Sequence, residues 1–252
     1  MSYTVDVVNV AIELLMVVAE NPGLGVTELS KRSGITKART FRLLNTLEET
    51  GLIRRQDPAA TYSLGYRALL VGAAAREQVQ LSKVADALLP AVGAACGESV
   101  LVRIREATET VCIAWWDAPN TVRVESQLGR YRPLHAGASG KLLLAYAPEE
   151  IQEQVLGAER ERFTSNTITG ANQLKQSIQK VREQGYSISY AEKAIDTVSV
   201  ATPIFDASGA VIASLATTAP SSRVPDEKLQ VLITALQQGA RQFSQELGYT
   251  GG

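Results

Sequence analysis

Apolar residues recur at helical spacing near the start of the chain, where Val8, Ile12, Leu15 and Ala19 form one stripe until Asn21-Pro22-Gly23 interrupts it. This predicts a first helix that packs through that stripe. Thr27 is the expected cap of a second helix, with Leu29 turned inward and Ser33-Gly34 at its end. Thr36 is the expected cap of a third, which reaches Glu49 or Thr50 before Gly51. A helix, a tight glycine turn and a second helix make a helix-turn-helix. Two short strands at 52–55 and 61–64 around the polar turn at Asp57-Pro58 then form a wing.

The rest of the chain alternates strand and helix patterns. An alanine- and leucine-rich stretch at 66–80 reads as a linker helix, and 82–96 continues helically with a break or bend at Pro90. Strands are expected at 99–105, 110–116 and 121–127, followed by a helix at 139–146. A helix at 171–184 leads to strands at 186–191, 198–205 and 211–218, the last two joined by a hairpin turn at 206–209. A helix at 225–247 closes the chain. The fold class is therefore α+β: a winged helix-turn-helix domain (1–65), a linker helix (66–80) and a second domain (81–252) whose mixed, largely antiparallel sheet is flanked by helices.

Composition narrows the function. The chain has 252 residues, 45% of them apolar and 20% charged, a balance that excludes a disordered or rod-like protein. Its net charge is −1, so the chain as a whole is not a basic nucleic-acid binder. Residues 27–67 nevertheless hold eight basic side chains against four acidic ones, a local charge of +4, and the remainder carries −5. A basic module on an acidic body is the electrostatic outline of a DNA-binding domain joined to something else. No lysine or arginine precedes Lys31, no apolar run reaches membrane-spanning length, and the two cysteines, Cys96 and Cys112, have apolar flanks. These features place the chain in the cytoplasm, with no membrane partner and reduced, buried thiols. One histidine, His135, with no spaced ligand partners leaves neither a metal site nor the usual general base, so the reading is not an enzyme and no cofactor is expected.

The third helix carries the DNA chemistry. Thr40, Leu43, Leu44 and Leu47 cluster on one side at about 100° per residue, with Phe41 at the edge. Ala38, Arg39, Arg42, Asn45 and Thr46 occupy the other side. The small Ala38 permits close approach to a major groove, Arg39 and Arg42 suit guanine edges or phosphates, and Asn45 suits adenine. Thr36 and Lys37 at the amino end, with its open N–H groups, suit a phosphate, and Arg54 and Arg55 arm the wing. One module of charge +4 binds weakly and is salt-sensitive, so two copies on a pseudo-palindromic operator are required.

These residues resemble the IclR family of bacterial transcriptional regulators across nearly the whole chain. The resemblance rests on Thr40-Phe41-Arg42-Leu43-Leu44, Leu47, Gly51 and Tyr62-Ser63-Leu64-Gly65. In the second domain it rests on LHAGASGK at 134–141, Thr164, Thr167 and Thr169, REQGY at 182–186 and the run 201–206. It implies a GAF-like effector-binding and oligomerisation domain at 81–252, a homodimer or homotetramer, and control of a catabolic operon by a small organic acid or aromatic metabolite. By position it implies a pocket lined by Val124, Ala138, Ser139, Ser189, Thr197, Ser199, Ala216 and Thr218. Asp196 stands where such proteins commonly have glycine.

The chemistry of that pocket follows from its residue types. LHAGASGK is not a nucleotide P-loop, because His135 and Leu142 occupy positions that need glycine and a hydroxyl. Gly137 and Gly140 instead permit a tight turn, and Ser139 lies near a helix amino end suited to a carboxylate. Ser139, Ser199 and Thr218 can donate hydrogen bonds, while Val124, Ala138 and Ala216 form an apolar wall. Trp115 or Trp116 is a candidate contact for an aromatic ligand, against ordinary packing. Two alternatives come from other classes: a small-molecule enzyme built on the second domain, and a winged helix that docks proteins rather than DNA.

Overall fold

The computed structural model describes residues 4–78, 80–120 and 127–251. The chain divides into two compact units, Met1–Val79 and Gln80–Gly252. In the first, α1 (Asp6–Glu20), β1 (Leu24–Gly25), α2 (Val26–Ser33), α3 (Lys37–Glu49), β2 (Ile53–Gln56) and β3 (Thr61–Leu64) precede α4 (Tyr66–Gln78). The strands form an antiparallel sheet in the order β1-β3-β2, with Arg54 opposite Ser63 and Arg55 opposite Tyr62. Leu14, Val18, Leu29, Leu43, Leu44, Leu47, Ile53 and Tyr62 form its core.

Two expectations for this unit are corrected. The buried stripe of α1 is Leu14 and Val18, whereas Val8 and Ile12 are exposed. The run from Val7 to Ala19 is apolar on almost every side, so its own periodicity does not select the stripe that α2 and α3 cover. The cap of α2 is Gly25 rather than Thr27, because β1 pairs with β3 up to that residue and delivers an extended backbone directly into the helix. Gly34 does end α2, with φ 67°.

The second unit begins with α5 (Gln80–Cys96). It then runs β4 (Val100–Glu106), β5 (Glu109–Trp116), β6 (Tyr131–Pro133), α6 (Ala138–Ala145), α7 (Glu149–Gly157), α8 (Ala171–Gln184), β7 (Ser187–Tyr190), β8 (Thr197–Phe205), β9 (Val211–Pro220) and α9 (Asp226–Glu246). The sheet order is β6-β5-β4-β9-β8-β7, and every described pairing is antiparallel. Alternation along the strands separates two cores. Val100, Val102, Val200 and Leu215 face α5 and α9, and Leu101, Ala201 and Ala216 face α6 and α8.

Helix α5 runs through Pro90 without the expected break. Pro90 is exposed, so solvent can serve the carbonyl that loses its helical donor. Gly93 in the same helix lies against Trp116, whose ring would stand 2.1 Å from an added Cβ. The short elements β6 and α7 are additions to the predicted order, and most of the expected strand at 121–127 lies outside the described residues.

Candidate functional site

The first unit presents the residues assigned to DNA on its surface. Thr40, Leu43, Leu44 and Leu47 are all buried, which turns the opposite side of α3 outward. Ala38, Arg42 and Thr46 are exposed on that side, with Arg39 and Asn45 half-buried. Thr36 occupies the N-cap position without a side-chain capping bond, and its carbonyl accepts the Thr40 N–H at 2.9 Å and the Thr40 hydroxyl at 3.1 Å. The open N–H groups at that helix end and the adjacent exposed Lys37 favour an anion. In the wing, Arg54 Nε donates to Ser63 Oγ at 3.1 Å and Arg55 Nε lies 3.3 Å from the Asp57 carboxylate. Arg39 is also engaged: its Nη2 donates to Asp6 Oδ2 of α1 at 2.8 Å.

The second unit contains a cavity of about 310 Å³ between the amino end of α6, the face of the sheet opposite α5 and α9, and the loop 191–196. Seven predicted positions line it: Ala138, Ser139, Ser189, Thr197, Ser199, Ala216 and Thr218. The eighth, Val124, lies outside the described residues. The strands bring the hydroxyls together by register, with Ser199 opposite both Ser189 and Thr218. Ser199 Oγ and Thr218 Oγ1 are 2.9 Å apart. One bond between two hydroxyls uses one hydrogen and leaves the other for a ligand.

The turn into α6 is built by glycine. Gly137 is its N-cap at φ 84°, a left-handed conformation that costs other residues, so Ser139 lies inside the first turn rather than capping it. At Gly140 a Cβ would meet the Pro133 and Leu134 carbonyl oxygens at 2.9 and 3.0 Å. Ala138, Ser139 and Gly140, whose N–H groups have no intrahelical acceptor, all line the cavity.

The opposite wall was not predicted. Arg103 of β4, Arg130, Arg132 of β6 and Lys193 line the cavity with Phe163, and among the described residues no carboxylate side chain does. Arg103 donates to Thr110 Oγ1 at 3.3 Å and to the Arg130 carbonyl at 3.1 Å. Lys193 Nζ is buried without a hydrogen-bond partner, 4.9 Å from the centre of the Phe163 ring. Burial, reinforced by Arg132, Arg103 and Arg130, pushes its pKa down to about 7. Burial also lowers the pKa of Arg103 and of Arg132. The sequence held one trace of this wall, the alternation of Arg130 and Arg132.

Lys193 is presented by a held loop. The Thr164 hydroxyl donates to the Ala191 carbonyl at 2.6 Å and the Thr167 hydroxyl to the Glu192 carbonyl at 2.7 Å. Ala191 and Asp196 adopt φ 53° and 56°, the left-handed region in which aspartate is better tolerated than most residues. Glu192 turns away from the cavity to pair with Lys141.

Other candidates fall elsewhere. Neither tryptophan lines the cavity: Trp115 donates to Asp117 Oδ1 at 3.1 Å, and Trp116 packs against Gly93. His135 shares a hydrogen bond of 2.9 Å with the Glu161 carbonyl and stacks on Phe163. Burial lowers its pKa and favours the neutral ring. Cys96 and Cys112 are buried free thiols, and burial pushes Cys96 up to about 12, which suppresses the reactive thiolate. Among the described residues no helix is long and apolar enough to cross a membrane.

Comparison with known proteins finds matches to both parts of the chain. Residues 7–57 match the family profile described as the IclR helix-turn-helix domain, and residues 73–245 match that of the bacterial transcriptional regulator IclR C-terminal region. The chain is 32% identical over 237 residues to the HTH-type transcriptional regulator KdgR of Escherichia coli, covering 94% of this chain and 90% of that protein. An IclR transcriptional regulator from Alicyclobacillus acidocaldarius has a similar structure, with a TM-score of 0.89 at 27% identity over 98% of this chain and 100% of that one. An IclR homologue from Microbacterium hydrocarbonoxydans, complexed with 4-hydroxybenzoate, shares the fold with a TM-score of 0.83 at 19% identity over 96% of this chain and 98% of that one.

Proposed function

Because this chain belongs to the IclR family of bacterial transcriptional regulators, and is a DNA-binding regulator rather than an enzyme, we propose that it switches a catabolic operon in response to a small organic acid. The observation that carries this reading is one cavity that combines hydroxyls, open helix N–H groups and a basic wall. Ser139 and one hydroxyl of the Ser199–Thr218 pair donate to a carboxylate, while Ala138 and Ala216 contact its apolar carbons. The occupied relative from Microbacterium, whose ligand is an aromatic acid, supports the ligand class.

Thr36, Lys37, Ala38, Arg39, Arg42, Asn45 and Thr46 meet the duplex from α3, and Arg54 and Arg55 meet it from the wing. Two copies read a pseudo-palindromic operator. Supporting the pairing, the first unit exposes Val7, Val8, Ile12 and Met16 on α1, and Tyr66, Leu69, Leu70 and Val71 on α4. A second copy covers such apolar surface in a homodimer, and two dimers make a tetramer.

Ligand binding regulates only if it favours one arrangement of the two copies over another. A differential of ~1–3 kcal/mol changes operator affinity ~5- to 150-fold. The test is fluorescence anisotropy with labelled DNA from beside the gene, in the presence of acids that raise the melting temperature of the purified chain. At least one such acid is expected to shift the binding curve by fivefold or more. Unchanged operator affinity at saturating concentrations of every stabilising acid overturns the switch.

A further inference from the structure

A carboxylate held by the hydroxyls and the α6 N–H groups leaves the far wall of the cavity unanswered. Lys193 Nζ is buried with no hydrogen-bond partner, and Arg130 and Arg132 line the same wall. A buried ammonium beside two guanidinium groups is destabilising by desolvation and like-charge repulsion, and folding alone does not relieve it. Of the nearby acids, Glu161 offsets this only in part, and Glu192 is bound to Lys141 and to the Gly137 N–H. A singly charged acid has no group left for the basic wall once its carboxylate is seated at the hydroxyls.

We propose that the effector carries two anionic groups, the second a carboxylate or phosphate held by Lys193, Arg130 and Arg132. This rests on the reading of the cavity as an acid-binding site and goes further by fixing the charge of its ligand. The two ends are chemically distinct. Neutral donors at Ser139 and at the Ser199–Thr218 pair orient one group, and positive charges at the other end select against acids that lack a second. A volume of about 310 Å³ lies at the small end of ligand pockets and suits a short-chain diacid.

The test is calorimetric titration of the full chain at pH 6.5 and constant ionic strength. Malonate, succinate, glutarate and adipate are compared with the monocarboxylates of equal chain length, and 3-phosphonopropionate with propionate. At least one doubly charged probe is expected to bind tenfold or more tightly than its singly charged counterpart. The better of the diacid and phosphonate arms identifies the second group. In Lys193→Met and in Arg132→Gln the ratio is expected to fall below about threefold while monoacid affinity is retained.

A ratio near one in the natural chain, or a ratio that survives both substitutions, overturns the second anion subsite. A Ser199→Ala/Thr218→Val variant separates this failure from that of the acid pocket. Where the ratio in the natural chain is near one, weakening of both series in this variant leaves the pocket standing without its second subsite. Binding of neither series by the natural chain overturns the dianion assignment, and the operator titration then decides the pocket itself.

Discussion

Lys141 and Glu192 form a buried ion pair that joins the first turns of α6 to the loop carrying Lys193, with their side chains only 5% and 7% exposed. Lys141 Nζ also donates to the Ile188 carbonyl at 2.9 Å, and Glu192 Oε2 accepts the Gly137 N–H at 3.0 Å. Two sides of the cavity are thereby held by one pair. Removing one partner of such a pair leaves a buried charge unanswered, at a cost of ~3–5 kcal/mol. Lys141→Met is expected to lose that much in urea unfolding followed by a probe in the second unit. Glu192→Gln keeps one acceptor for Lys141 but turns its amide NH2 toward the Gly137 N–H and leaves the Lys141 charge buried, so a loss of similar size is expected. A loss below ~1 kcal/mol in Lys141→Met would show that the pair is not a structural tie.

Lys193 gives the stability a defined pH dependence. Its pKa falls from 10.5 in the unfolded chain to about 7 in the folded protein, so between these values the unfolded state binds more protons. The destabilisation is complete below about pH 7 and disappears as pH rises toward 10.5. Lys193→Met is therefore expected to be more stable than the natural chain by ~1–2 kcal/mol at pH 6.5, with the difference shrinking as pH rises to 10. Melting curves across that range check the sign. Ligand affinity follows the opposite logic: anionic effectors are expected to bind less tightly above pH 7, where Lys193 loses its charge.

Arg39 is held by Asp6 at 2.8 Å, on the side of α3 assigned to the duplex. An exposed pair of this kind contributes little to stability, so its effect falls on binding. Asp6→Ala is expected to raise operator affinity several-fold by freeing the guanidinium and removing a negative charge. Arg42→Ala is expected to weaken binding by ~1–3 kcal/mol, and if its guanidinium neutralises a phosphate the salt dependence flattens by about one unit of slope. Anisotropy titrations at several salt concentrations distinguish the two. Unaltered affinity in both variants would remove α3 as the reading surface.

Thr167 holds the 191–196 loop through its hydroxyl, which donates to the Glu192 carbonyl at 2.7 Å and receives the Phe163 and Thr164 N–H groups at 3.0 and 2.9 Å. Thr167→Val keeps the shape and deletes all three bonds. Each buried group left unsatisfied costs ~1–3 kcal/mol. The variant is expected to lose stability and to bind acids at least fivefold more weakly, because Lys193 and Phe163 lose their fixed positions. Calorimetric titration at a temperature well below its unfolding checks the second effect apart from the first.

Much of the molecule was legible from local patterns. The spine Thr40, Leu43, Leu44 and Leu47 repeats at helical spacing and is buried as that spacing requires, and the strand pair at 198–205 and 211–218 is bounded by its own turn. The hydroxyl side of the cavity was legible because a family resemblance supplied positions that register then assembled: Ser199 meets Thr218 across two adjacent strands. The buried stripe of α1 was not, since nearly every side of that helix is apolar and only packing against its neighbours makes the choice.

The sequence by itself determined the two-part organisation, the basic reading module and the antiparallel character of the second domain, since these follow from periodicity, turn residues and local charge. Only the tertiary structure decided that Arg130, Arg132 and Lys193 share one wall, and that Glu192 answers Lys141 instead of them. The strand order β6-β5-β4-β9-β8-β7 places these residues around one cavity although they are distant in the chain. Electrostatic energy depends on separation in space and on burial, and neither quantity is written in the spacing of residues along a sequence.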